Sequence, residues 1–190
     1  MLRLQKTARA KGFTLVELLV TVVIISIVIG IISPAFAHLY QRYKLLEQSR
    51  NAYSAINAAR LHAIQSGHHV ILCPTTDQVD CLPDWNLGLI IFDDFNNNKR
   101  HDRNEKVIFL LPGAEPWVKI TYPRRYISFA GPGSTANFGS MVVCAPAMET
   151  DGISVIVISR PGRPRFGSDS NHNGLPEGGN GKDVNCGQTT

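Results

Sequence analysis

The sequence has no glycine-rich nucleotide loop, no His-Glu-x-x-His motif, and no second long apolar run after the first. The first two absences remove the common nucleotide-dependent and zinc-dependent activities. The third leaves at most one membrane-crossing segment. Cysteine is scarce: Cys73, Cys81, Cys144 and Cys186 are all there are, and none has the tight pair spacing of a zinc site. A charge excess is also lacking once position is considered. The formal charge is +4, but Arg3, Lys6, Arg9 and Lys11 crowd the first eleven residues, and beyond them basic and acidic residues balance. Binding to a polyanion must therefore come from a local patch. Serine and histidine are present without a pattern that assembles a catalytic triad. His68 and His69, at a strand entrance, read as an exposed edge rather than a metal pair. No enzyme activity, cofactor or metal is expected.

What is present begins at Phe13. The run FTLVELLVTVVIISIVIGIISPAF is apolar apart from Glu17 and a few hydroxyl residues, about the roughly 20 residues a spanning helix needs. The basic leader holds the N-terminus in the cytoplasm and sends the rest outward. Glu17 resists a plain anchor reading, because an unpaired carboxylate in a membrane segment costs a few kcal/mol, so it needs a partner. Outside the cytoplasm the four cysteines read as disulfides. Of the three pairings we prefer Cys73 to Cys81, closing a short loop, and Cys144 to Cys186, tying down the tail; free buried thiols are the alternative.

The residues Lys11-Gly12-Phe13-Thr14-Leu15-Val16-Glu17-Leu18, after a basic leader and before an apolar helix, resemble the processing signal of type IV prepilins and type II secretion pseudopilins. That resemblance implies cleavage by a prepilin peptidase between Gly12 and Phe13 and N-methylation of Phe13. It also implies pairing of Glu17 with the N-terminal amine of a neighbouring subunit during assembly. A buried carboxylate is best kept by a cation that only assembly supplies.

A helical spacing continues through Leu39, Tyr43, Leu46, Tyr53, Ile56, Ala59, Ala63 and Ile64, and Gly67 is a natural stop, so the helix is predicted over about Thr14 to Ser66. From His68 the pattern changes to seven β runs: HVILC, LGLIIFDD, VIFLL, VKITY, YISFA, SMVVCA and ISVIVISR. One long helix followed by these runs predicts an α+β pilin-like fold with an antiparallel β-sandwich. The arrangement is similar to the FimT, FimU and GspH group of minor pilins and pseudopilins. The expected organisation is a leader over 1–12, a membrane or pilus-core helix over 13–38, an amphipathic half over 39–67, a β-rich domain over 68–166, and a Gly/Asn-rich tail over 167–190.

Two oxygen-rich runs stand out. Asp94, Asn96, Asn98, Asp102 and Glu105 fall at positions 1, 3, 5, 9 and 12 of an EF-hand-like cage. Lys99 stands where the cage needs glycine, and the flanks are strands, so a polar hairpin is the preferred reading. Asp169-Ser170-Asn171-His172-Asn173-Gly174 repeats the first half but has Asn180 at the twelfth position. Its composition predicts a mobile tail.

Finally, Ser159-Arg160-Pro161-Gly162-Arg163-Pro164-Arg165-Phe166-Gly167 places three arginines where Pro161 and Gly162 end the last strand, predicting an exposed loop. Arginine suits such a place because its planar fork binds phosphate oxygens in pairs. Gly162-Arg163-Pro164-Arg165 is similar to the GRxR pattern of FimT-type minor pilins, whose C-terminal loop binds DNA during natural transformation. The resemblance implies DNA contacts for Arg163 and Arg165, with Arg160 a third. Arg124 and Arg125 in Tyr122-Pro123-Arg124-Arg125-Tyr126 are further basic candidates, as are Lys99, Arg100 and Arg103. The two tyrosines are open to base stacking unless they are core residues, which the strand pattern favours. The resemblance implies a minor pilin whose partners are DNA, other pilins, the prepilin peptidase and the inner membrane. A filament-priming or capping subunit without DNA binding is the alternative.

Overall fold

The computed structural model describes residues 12–186, apart from the side chains of residues 31–35 and 149–151. The expected leader, with Arg3, Lys6, Arg9 and Lys11, lies outside the described residues, as do residues 187–190. The chain divides into two units, with the boundary between Gln41 and Arg42.

Helix α1 spans Leu15–Ser66. Thr14 caps it: its hydroxyl accepts the Glu17 amide at 3.2 Å and its carbonyl accepts the Leu18 amide at 3.1 Å, the spacing of a capping box. In the first unit the apolar side chains from Phe13 to Ile29 are exposed on every side. The hydroxyls of Thr21 and Ser26 donate to the carbonyls of Leu18 and Val22, so these polar groups are already satisfied within the helix. Among the described residues no helix is long and apolar enough to cross a membrane.

In the second unit α1 buries a stripe formed by Leu45, Ser49, Ala52, Ile56, Ala59 and Ala63, spaced by three and four residues as one helix face requires. The predicted residues Ile56, Ala59 and Ala63 lie on this stripe, whereas Leu46 and Ile64, also predicted, are exposed. Small side chains carry much of the contact because alanine lets the helix approach close-packed sheets.

Eight strands follow: β1 Val70–Pro74, β2 Leu89–Asp93, β3 Val107–Leu111, β4 Lys119–Thr121, β5 Ile127–Phe129, β6 Gly139–Cys144, β7 Ile153–Ile158 and β8 Pro164–Phe166. Seven fall on the predicted runs. They form two four-stranded sheets, ordered β3-β2-β1-β5 and β4-β6-β7-β8, and every neighbouring pair is antiparallel. Alternation along each strand sends one set of side chains to the central core and the other to an outer face. Leu72, Ile91 and Phe129 from the first sheet meet Met141, Val143 and Ile156 from the second in one cluster with the helix stripe.

Each outer face has its own cover. On the first sheet, Ile71, Cys73, Ile90 and Phe92 pack with Cys81, which is bonded to Cys73. His101, from the β2–β3 connection, brings its ring to 5.4 Å from that of Phe92. On the second sheet, Val142, Cys144, Val155 and Val157 pack under Val184, and Cys186 is bonded to Cys144. The tail expected to be mobile is thus folded across a sheet as far as Cys186.

Candidate nucleic-acid interface

The chain leaves β7 at Ile158 and reverses within Ser159–Gly162. The Gly162 amide donates to the Ser159 carbonyl at 2.8 Å, and the Ser159 amide and hydroxyl both reach the Arg163 carbonyl. Only glycine fits this turn. Gly162 has φ +76°, and a Cβ there would lie 1.9 Å from the Gly133 carbonyl oxygen. The reversal lets Pro164–Phe166 pair with β7, so the predicted loop is half turn and half edge strand. Proline is tolerated as the first residue of such an edge.

This pairing orients the arginines. Arg165 stands opposite Val157, and Val157 opposite Ser140, so the three form a row on the outer face of the second sheet. Arg160, Arg163 and Arg165 are all exposed, and among the described residues none of them forms an ion pair. The Arg160 guanidinium lies over the Phe138 ring, 4.8 Å from its centroid, a cation–π contact that holds the charge without neutralising it.

The backbone beneath these side chains is pinned by groups that sequence reading missed. From α1, Arg60 Nε donates to the Gly133 carbonyl at 3.1 Å and to the Pro161 carbonyl at 3.4 Å. The Thr135 amide donates to the Arg160 carbonyl at 3.0 Å. Trp85, buried at 2% exposure, donates its indole N–H to the Arg124 carbonyl at 2.7 Å. The Tyr122 hydroxyl donates to the Asn137 carbonyl, beside Phe138. Burial pushes the Tyr122 phenol well above its ordinary pKa, and its ring packs edge-on against Trp85. Tyr122 is therefore a core residue closed to stacking on bases, and Tyr126 is half-buried against the first outer cluster. No sequence signal marks Arg60 or Trp85, because their partners are carbonyls far along the chain.

Arg124 and Arg165 line one groove on the second sheet. Arg125 and Arg103 are exposed. Arg100, by contrast, is engaged: its Nε lies 2.8 Å from Asp80 Oδ1 and its terminal amine 3.1 Å from Asp80 Oδ2. Lys99 is half-buried and donates to the Asn97 carbonyl.

The two oxygen-rich runs share one hydrogen-bond plan. Asp94 accepts the amides of Asn98 and Lys99, as Asp169 accepts those of Asn173 and Gly174. Glu105 accepts the Phe95 and Asp102 amides, and Glu177 accepts the Ser170 and Asn171 amides. The Asn96 and Asn98 amide groups donate to Asp102; those of Asn171 and Asn173 donate to Asp183. Lys99 takes φ +62° where Gly174 takes +87°. Among the described residues no three His, Cys, Asp or Glu side chains converge to hold a metal ion. The acid that folds the tail is Glu177, not the twelfth-position residue, which is why the sequence pattern concealed its order.

At the other end of the described chain, Gly12 and Phe13 precede the helix, and Phe13 is 81% exposed. Glu17 is exposed in the first helical turn, where a negative charge is also favoured by the helix dipole.

The sequence matches the family described as type II transport protein GspH over residues 48–162 and the prokaryotic N-terminal methylation motif over residues 7–33. No curated protein gives a significant sequence match. Among solved structures the fold is similar to the type IV minor pilin FimU of Pseudomonas aeruginosa. One crystal form shows 17% identity, 70% of this chain and 94% of that chain covered, and a TM-score of 0.54. A second form shows 17% identity, coverage of 66% and 94%, and a TM-score of 0.51. The minor pseudopilin EpsH of the Vibrio cholerae type 2 secretion system matches at 10% identity, coverage of 67% and 98%, and a TM-score of 0.48.

Proposed function

The chain belongs to the GspH family and is a minor pilin or pseudopilin of the GspH and FimU type, and from that premise we propose that it captures extracellular DNA for uptake in natural transformation. The observation that carries this reading is the arginine hairpin. Arg160, Arg163 and Arg165 are presented without acidic partners among the described residues, on a backbone pinned by Arg60 and Thr135. Exposed guanidinium groups on a rigid edge suit phosphate oxygens, so binding is to the backbone and indifferent to sequence.

In this reading a prepilin peptidase cuts between Gly12 and Phe13, Phe13 is methylated, and the exposed apolar helix anchors the precursor in the inner membrane. Its N-terminus is cytoplasmic and its domain periplasmic. Glu17 then pairs with a neighbour's amine as the subunit enters the pilus at or near the tip. The leader over 1–12, the core helix over 13–38 and the domain from 68 onward take these three parts. The disulfides suit the oxidising side of that membrane.

The test is an electrophoretic shift with the full-length chain in detergent and duplex DNA at low salt. Wild type shifts the duplex, and Arg163→Ala with Arg165→Ala abolishes most of the shift; an unchanged shift overturns the proposal. A subunit that only primes or caps the filament is favoured by one observation, the exposed Phe109 and Leu110 on edge strand β3, an apolar edge suited to another subunit. On that reading deletion abolishes piliation and transformation together, and the arginine substitutions are silent.

A further inference from the structure

The tail does not cover the whole outer face of the second sheet. Between its turn at Gly179–Asn180 and the Pro123–Arg124 segment a groove of about 490 Å³ remains, within the size range of small-ligand sites. Its floor includes Ser140 and Val157, the row that ends in Arg165. Phe138 lines it, 39% exposed, under the Arg160 guanidinium. Arg124 and Arg165 supply its charge, and among the described residues no acidic side chain lines it.

We propose that this groove holds an unpaired nucleotide of a DNA strand, so that the protein prefers single-stranded ends or gaps to continuous duplex. The proposal rests on the DNA-capture reading and adds to it the form of DNA that is bound. The argument is complementarity. A nucleotide is a flat apolar-faced base between two anionic phosphates, and the groove offers an aromatic wall and an apolar floor flanked by two guanidinium groups. Single-strand sites combine these two parts, basic tracking of the backbone and aromatic stacking of the bases. Duplex DNA keeps its bases stacked on each other, so it reaches the arginines but not Phe138.

The walls are fixed in advance. The Gly179 amide donates to Ser140 Oγ at 2.8 Å and holds the tail lip. Trp85 holds the Arg124 carbonyl on the opposite lip. Asn137, next to Phe138, is tied through its carbonyl to Tyr122, through its Oδ1 to the Ser128 amide, and through its own amide to Thr135. A preformed site loses less freedom on binding than a mobile one.

The test compares a fluorescent single strand with the same strand annealed into a duplex, each titrated by anisotropy with the full-length chain in detergent. Wild type is expected to bind the single strand more tightly. Phe138→Ala lowers that affinity by at least about fivefold, the lower bound for losing one base–aromatic stack, and weakens duplex binding by less, through the Arg160 contact it also removes. Phe138→Trp restores single-strand binding, which excludes a general folding defect. If duplex binding persists and depends on Arg163 and Arg165 while single strands gain nothing, or if Phe138→Ala weakens both forms equally, the groove inference is overturned and the arginine hairpin stands. If wild type binds neither form, both fall.

Discussion

The two sheets carry covers built on one plan and put to different uses. Each outer face is closed by a disulfide and by an Asp-x-Asn-x-Asn turn whose carboxylates are consumed by backbone amides, the two lying in one segment on the second sheet and in separate connections, Cys73–Cys81 and Asp94–Glu105, on the first. On the first sheet two of the three clustered basic residues are drawn into the cover, Arg100 onto Asp80 and Lys99 onto a carbonyl, while Arg103 is exposed. On the second sheet the cover stops short, leaving a groove, and the arginines beside it face outward without ion-pair partners among the described residues. Cationic side chains alone therefore do not mark a binding face; those whose charge the fold leaves unspent do.

The largest expected effect separates the two disulfides. They close loops of sequence separation 42 on the second sheet and 8 on the first. Loop-closure entropy assigns about 4 kcal/mol to Cys144–Cys186 and about 2.5 kcal/mol to Cys73–Cys81. Urea unfolding of the paired Cys→Ala variants should rank them in that order, and the reverse order would show that the tail contributes little to the domain.

Next come the glycines at positive φ. Gly162→Ala forces a left-handed alanine against the Gly133 carbonyl, whereas Gly174 in the tail turn, at φ +87°, has nothing within 4 Å. The tail substitution should cost about 1–2 kcal/mol and the hairpin substitution more, with the larger drop in Tm; equal costs would mean that the hairpin relaxes freely. Arg60→Ala is smaller, about 1 kcal/mol for a half-buried donor. Hydrogen exchange should quicken at 130–135 and 159–166 and not in the Asp94–Glu105 connection.

The smallest effect lies in the first cover. The amides of Val79 and then Asp80 hold the Asp77 carboxylate below its ordinary value of 3.8. A depressed carboxylate stabilises the fold above the unfolded pKa and loses that contribution as pH falls through the folded one. Asp77→Ala should be slightly less stable than wild type at neutral pH, with the gap closing below about pH 4. A gap that persists in acid would trace the loss to packing instead.

Much of the fold could be read from residue order. Short β-rich runs bounded by Gly, Pro and Asn turns located β1 to β7, and Gly67 ended the helix, because local composition decides those features. The helix face was misread at Leu46 and Ile64, each an apolar residue next to the buried position, Leu45 and Ala63, that actually meets the sheets. The arginines were visible as candidates, but β8, Arg60 and the groove depend on contacts across as many as 101 positions, which spacing cannot encode. Glu177 was missed for a related reason: it closes a turn three residues earlier than the expected position and so orders a tail whose composition suggests mobility.

The central claim is that unspent arginines on the second sheet, and not basic residues in general, meet DNA. It is tested most directly by the salt dependence of duplex affinity for the full-length chain and two double variants. Arg163→Ala with Arg165→Ala should reduce the slope of log affinity against log salt by about 2, one for each lost phosphate contact. Lys99→Ala with Arg100→Ala, on the first cover, should leave the slope unchanged. Equal reductions in both variants, or none in the first, would contradict the account.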